Sequence, residues 1–284
     1  MHYDERRVRK YRTPSQNYLG GDMKKRIGLF TSGWDKVAWK LIDTVYQMAT
    51  SGIIPDTEIA FIFSSRTEGE NPESDRVIRN CRKLGIPLVT FSAAQFKKQL
   101  PDNKKGKWRE LYDKKIIKIL PPTDFDVLLG YMLIAGEDLC GKRTMINLHP
   151  ALPGGPQGTF RDVVWKLIKI GAKESGVMIH LVVPKLDSGP VISYCRYPIN
   201  GQRVDCLRKT MQGRLLYLTL DEIKKREGDS NQFFRFIRQC GVRREFPLII
   251  QTLKAIAEER IDITWPSNVN LTKEVEGDIE GDMT

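Results

Sequence analysis

A chain of 284 residues is long enough for one large domain or two ordinary ones, and its 40% apolar and 29% charged residues match a soluble globular protein. No apolar run approaches the roughly 18 residues of a membrane helix, and the charged start MHYDERRVRKYRTPSQNYLGGDMKKR has no apolar segment of a signal peptide, so a cytoplasmic protein that needs no membrane is expected. The net charge of +11 favours anionic partners, but the lysine run Lys97–Lys118 lacks the interleaved aromatics of a single-strand platform, so nucleic acid is not the expected partner.

Five scattered cysteines (Cys81, Cys140, Cys195, Cys206, Cys240) show no CxxC pair, which argues against a zinc site and a disulfide framework, and no metal is expected. Residues 1–22 are polar, with Pro14, Gly20 and Gly21, and read as an N-terminal extension. RIGLF (26–30) then reads as a buried strand, TSG as a turn, and WDKVAWKLIDTVYQMAT as a helix. IAFIF (59–63) predicts a second strand, DRVIRNCRKLG a helix closed by Gly85, and IPLVTF a third strand. A long Lys-rich helical region follows, then the strand FDVLLGYM, the short helix GEDLCGK and the strand TMINLH. After PALPGGPQGTF come a helix over about 161–170 and two apolar runs, GVMIHLVV and PVISYCRYPI, joined by the turn-rich PKLDSG. Beyond Asn200 the sequence reads as helices: VDCLRKTMQGRLLYLTLDEIKKRE, QFFRFIRQCG and FPLIIQTLKAIAEER, before an acidic tail over 265–284. Near-continuous apolar strands alternating with helices predict an α/β fold, a Rossmann-like, mostly parallel sheet flanked by helices with extra C-terminal helices. Ligands of such sheets bind beyond the carboxyl ends of the strands.

Two places at strand ends carry candidate chemistry. TSGWDK follows the first strand and opens a helix, where amides often meet phosphate. It has one glycine and lacks GxGxxG and GxxxxGK[ST], so Ser32, Gly33 and Lys36 are acceptor-binding candidates, against the plainer reading of a βα turn with Asp35 near the helix start. Asn147 and His149 lie two apart in a strand, on one side of the sheet, with Pro150 ending it. Asp187 lies in a turn between apolar runs. An amide, an imidazole and a carboxylate suit acyl-type chemistry, although strand-end His and Asn residues are also common without it. His180, in mid-strand, reads as a satisfied core histidine, and no GxSxG elbow is present.

INLHPALPGG followed by GAKESGVMIHLVVPKLDSGPVI resembles the folate-dependent formyltransferase family, most nearly its glycinamide ribonucleotide branch. The family pattern N-I-H-P-S-L-L-P is met by Asn147, His149, Pro150, Leu152 and Pro153. G-x-x-x-H-x-V-x-x-x-x-D-x-G-P-[VI]-I is met by Gly176, His180, Val182, Asp187, Gly189, Pro190 and Ile192. VLLGYMLIAG (127–136) is similar to the family's V-L-A-G-[FY]-M-R-I-L. The resemblance covers about Lys25 to Ile199. It implies a formyltransferase-like domain over 23–264, with a catalytic core of about 25–200 and a helical part over 201–264. It implies 10-formyltetrahydrofolate as formyl donor, an amine of a small metabolite as acceptor, a place in purine biosynthesis if that amine is glycinamide ribonucleotide, and Asn147, His149 and Asp187 as the catalytic trio. The folate would lie along Tyr131, Met132, Leu133, Ile134 and Ala135, and along Val183, Pro184, Lys185 and Leu186. The acceptor side departs from the pattern: SGWDKVA replaces the family's G-x-G-S-N, Gln239 and Val242 stand near the positions of its acceptor-binding lysine and glutamate, and 205–229 reads as an insertion. The rival readings are a 10-formyltetrahydrofolate hydrolase, with water in place of the amine, and a non-catalytic module for anionic ligands or nucleic acid.

Overall fold

The computed structural model describes residues 24–265 and 267–281; the N-terminal extension expected at 1–22 lies outside the described residues. Among the described residues eight strands form one sheet in the order β3-β2-β1-β4-β5-β6-β7-β8. They are β1 (Lys25–Thr31), β2 (Thr57–Ser64), β3 (Leu88–Thr90), β4 (Phe125–Leu128), β5 (Met145–His149), β6 (Glu174–Leu181), β7 (Val191–Pro198) and β8 (Val269–Asn270). The pairs β1–β2, β1–β4, β2–β3, β4–β5 and β7–β8 are parallel. The described chain forms two compact units. Residues 24–148, 180–190 and 253–265 make the first; 149–179, 191–252 and 267–281 make the second.

In the first unit β1 and β2 are buried through nearly their whole length, as strands covered on both faces must be. Phe30 packs edge-on against Phe63 at 5.1 Å and Tyr131 at 5.6 Å. Gly28 is required by a close approach: a Cβ there would stand 2.4 Å from Asp126 Oδ1 and 2.5 Å from Phe61 Cζ. The helices are α1 (Lys36–Thr50), α2 (Pro72–Leu84), α3 (Ala93–Gln99), α4 (Asp102–Lys105), α5 (Trp108–Ile119) and α6 (Glu137–Lys142). Each boundary of α2 has a local cause: the Asn71 side chain accepts from Glu73 N and Ser74 N, Pro72 opens the first turn, and Gly85 closes it at φ 66°. The Lys-rich region, expected as one long helix, is three, because Pro101 and Gly106 interrupt it.

The second unit holds α7 (Phe160–Lys169), α8 (Gln202–Leu215), α9 (Leu220–Glu227) and α11 (Thr272–Gly281), and most of α10 (Gln232–Ala257). The helix expected across 204–227 is two, separated where Thr219 and Glu222 form a capping box for α9. Conversely, the two helices expected on either side of Gly241 are one, running through Pro247. Its buried residues Phe233, Phe234, Ile237, Leu248 and Ile249 keep one continuous apolar face, which outweighs the single hydrogen bond the proline removes. The expected acidic tail is also corrected. Asn268–Leu271 hydrogen-bonds beside β7, and Leu271, Val275 and Ile279 bury one face of α11. Arg244 and Gln251 reach Glu276 and Asp278 on its polar side.

Candidate active site

The carboxyl ends of β1, β2 and β4 are braced to one another. Ser32 N donates to Gly130 O at 3.0 Å, and Ser32 Oγ lies 2.8 Å from Ser65 Oγ and accepts from Met132 N at 2.9 Å. Ser32 is therefore buried, its hydroxyl engaged with Ser65 and Met132. Gly33 has φ 53° and packs on α2, since a Cβ there would stand 2.6 Å from Ser74 Cα; its amide donates to Thr31 Oγ1. Of the three acceptor-binding candidates only Lys36 is exposed. Asp35 takes the amides a phosphate would need, accepting from Val37 N at 3.0 Å and Ala38 N at 3.2 Å. The plainer reading of this loop as a capped βα turn is what the geometry supports. Asp35→Ala is expected to lower stability by about 1 kcal/mol, the usual worth of an N-cap, as read in urea denaturation.

At the end of β5, Asn147 Nδ2 lies 3.2 Å from His180 Nε2, and His180 Nδ1 lies 3.0 Å from Leu181 O. A ring nitrogen facing a carbonyl carries the hydrogen, so in the neutral ring Nε2 accepts from the Asn147 amide. Asp187 Oδ1 stands 3.7 Å from the same Nε2, with its side chain 6% exposed. Asp187 adopts φ 45°, a left-handed conformation that Asp and Asn tolerate better than most side chains. Gly189 is fixed by contact: a Cβ there would stand 1.7 Å from Leu181 O. Spacing explains the D-S-G-P turn in these terms, one residue left-handed and one without a side chain.

His180 is buried, as expected of a core histidine, yet it also links Asn147 to Asp187. Sequence reasoning missed that link; the H-x-V-x-x-x-x-D spacing was the signal for it. His149 lies in the second unit, buried, with Nε2 2.9 Å from Pro156 O. The loop after it is stiff. Gly155 N donates to Leu152 O at 2.8 Å, Lys166 Nζ to Gln157 O at 2.8 Å, and Thr159 forms a capping box with Asp162. Leu152 packs against Gly176, whose Cβ would stand 2.4 Å from Leu152 Cδ2.

Of the expected donor-binding residues, Tyr131 and Ala135 are core residues that anchor their loop, while Met132 and Ile134 are 46% and 48% exposed. Leu133, Val183 and Pro184 are half-buried, and Lys185 and Leu186 are exposed. Val182 N donates to Met145 O at 2.8 Å, which ties the start of the second loop to β5. Among the described residues no group of three His, Cys, Asp or Glu side chains is placed to hold a metal ion, and no helix is long and apolar enough to cross a membrane.

The formyl transferase family matches residues 30–208, which include both loops, Asn147, His149, His180 and Asp187. A phosphoribosylglycinamide formyltransferase of Dictyostelium discoideum is 34% identical over 142 residues, 45% of this chain and 67% of that protein. Formyltetrahydrofolate deformylase 2, mitochondrial, of Arabidopsis thaliana is 37% identical over 82 residues, 28% of this chain and 24% of that protein. The crystal structure of glycinamide ribonucleotide transformylase 1 from Symbiobacterium toebii superposes with a TM-score of 0.58 over 87% of this chain and 94% of that one, at 18% identity, so the fold is shared. With well over half its length matched, the chain belongs to the formyl transferase family.

Proposed function

We propose that this protein moves a formyl group from 10-formyltetrahydrofolate to the amine of a small metabolite. The observation that carries the reading is the strand-end pair Asn147 and His149 together with the Asp187 turn, all inside the segment the family matches. The acceptor's amine lone pair attacks the formyl carbon; a C–N bond forms and the carbonyl π electrons move onto oxygen. Asn147 and protonated His149 stabilise that oxyanion, the term that usually lowers such barriers most. Asp187 accepts, through water, the proton shed by the attacking nitrogen. The tetrahedral adduct then collapses, expelling the folate nitrogen, which takes up a proton. His180 positions rather than reacts: its Nε2 holds one amide hydrogen of Asn147, which leaves the other to donate.

Asp35 occupies amides at the start of α1, which speaks against a phosphate of the acceptor at the β1 loop. This feature favours glycinamide ribonucleotide less than the relatives' names do, and it keeps hydrolysis as the second reading. The test is consumption of 10-formyltetrahydrofolate with and without a panel of amines, glycinamide ribonucleotide included. Consumption that requires an amine and yields its N-formyl product supports transfer. Equal consumption in buffer alone makes the protein a hydrolase, and no consumption in any condition overturns both.

A further inference from the structure

The loop over 131–136 is held from beneath by α5. Arg109 and Asp113 lie four residues apart on α5, and so on one face of it. Arg109 Nη1 donates to Ile134 O at 2.5 Å, and Asp113 Oδ2 accepts from Gly136 N at 2.7 Å. The fit at the second point is close: a Cβ on Gly136 would stand 2.6 Å from Asp113 Oδ2, so the loop needs a glycine there. With Met132 N bonded to Ser32 Oγ, the backbone is gripped at three points within five residues. Between the outer ties, Ala135 is buried and the Met132 and Ile134 side chains face outward.

We propose that Arg109 and Asp113 are positioning residues, a two-pronged fork that holds the backbone of 131–136 in the shape that receives the formyl donor. The fork rests on a seated helix. Tyr112, fully buried between the two prongs, donates to Phe91 O at 2.6 Å and stacks on Phe91 at 5.3 Å. The Arg109 guanidinium lies 4.4 Å over the Trp108 ring, which restricts it before it meets the loop. The arrangement is costly as pure structure. Asp113 is 1% exposed, its Oδ1 and Arg109 Nε have no hydrogen-bond partner, and burial pushes its carboxyl up to about 6 despite the Gly136 bond and the Arg109 charge. A helix that only needed to pack would be more stable with an apolar residue at 113. The cost is intelligible if the loop's backbone must be exact in place, as a site that reads a ligand with main-chain groups requires.

The proposal rests on the donor assignment made above, and its test has one arm independent of that assignment. Hydrogen–deuterium exchange on the full chain, followed in peptides covering 129–139, should be about tenfold faster at the 131–136 amides in Asp113→Ala and in Arg109→Met, the loss expected for one charge-assisted hydrogen bond. Asp113→Asn keeps an acceptor for Gly136 N and should restore protection to near the wild-type level. In the kinetic arm, KM for 10-formyltetrahydrofolate should rise about tenfold in the Ala and Met variants with kcat held within about threefold, and the Asn variant should again be rescued. If Asp113→Ala does not fold, Arg109→Met carries both arms, since that prong contributes no buried carboxylate. Unchanged exchange and KM in Arg109→Met would overturn the fork, as would loosening spread evenly over every peptide. Faster exchange at 131–136 in the variants, with a wild-type protein that neither binds nor consumes 10-formyltetrahydrofolate, would overturn the donor assignment instead, and the functional half of this proposal with it.

Discussion

Asp187→Asn is expected to reduce formyl transfer by about a thousandfold with little change in stability, and His149→Ala to reduce it by a similar factor at a modest cost to the fold. The two substitutions separate charge from shape. At φ 45° asparagine is as well tolerated as aspartate, and Asn retains an acceptor oxygen, so the turn before Gly189 keeps its geometry and only the negative charge is lost. Transfer that survives at the wild-type rate would remove Asp187 from the proton path. His149 is buried with Nε2 bonded to Pro156 O, so alanine also removes a buried hydrogen bond, worth about 1–2 kcal/mol against a usual domain stability of 5–15 kcal/mol. Circular dichroism at the assay temperature distinguishes that cost from chemistry. His180→Ala, which acts through the orientation of Asn147, should cost less than either, and combining it with Asn147→Ala should add little. Additive losses in that pair would give His180 a role of its own in the reaction.

What could be read from the sequence follows from how local the cause is. β1, β2 and β4 were legible because strands buried on both faces are near-continuous apolar runs. The Asp187 turn was legible because a left-handed aspartate and a glycine against Leu181 O leave a fixed spacing. The link from Asn147 to His180 spans 33 residues, and the H-x-V-x-x-x-x-D spacing signals only its Asp187 end, so His180 read only as core. The contacts of Ser32 in the TSGWDK loop were not legible, because they come from Ser65 after β2 and Met132 after β4, distant in sequence and beside β1 in the sheet. In the C-terminal segment the acidic composition hid a short helical pattern, Leu271, Val275 and Ile279, that was there to be counted. The break expected between QFFRFIRQCG and FPLIIQTLKAIAEER erred in the opposite direction, since helix rules are local and the packing that carries α10 through Pro247 is not.

Arg143→Met is expected to destabilise the protein by about 3–5 kcal/mol near neutral pH, the largest stability effect anticipated for a single change outside the apolar core. Asp126 on β4 is fully buried and accepts from Arg143 Nε at 2.5 Å, Arg143 Nη2 at 2.9 Å and Thr123 Oγ1 at 2.8 Å. Burial raises its pKa, and the Arg143 bonds, the Arg143 charge, Thr123 and the Gly28 amide oppose that rise. A carboxyl whose pKa is raised in the fold favours the fold most when protonated, and that contribution is lost as pH rises. Without Arg143 the pKa moves higher still, so the deficit of the variant should be largest in alkaline buffer and shrink as pH falls; urea denaturation at pH 5 and pH 8 reads the difference. Asp126→Asn combined with Arg143→Met removes the stranded charge and should recover most of the loss. The pair also bears on the site, because Asp126 N donates to Thr144 O and Leu128 stands beside Asn147 in the β4–β5 register. If the ion pair acts only by holding that register, stability and formyl transfer should return together in the double variant. Stability restored without transfer would mean that Arg143 influences the reaction by a route other than the placing of β5.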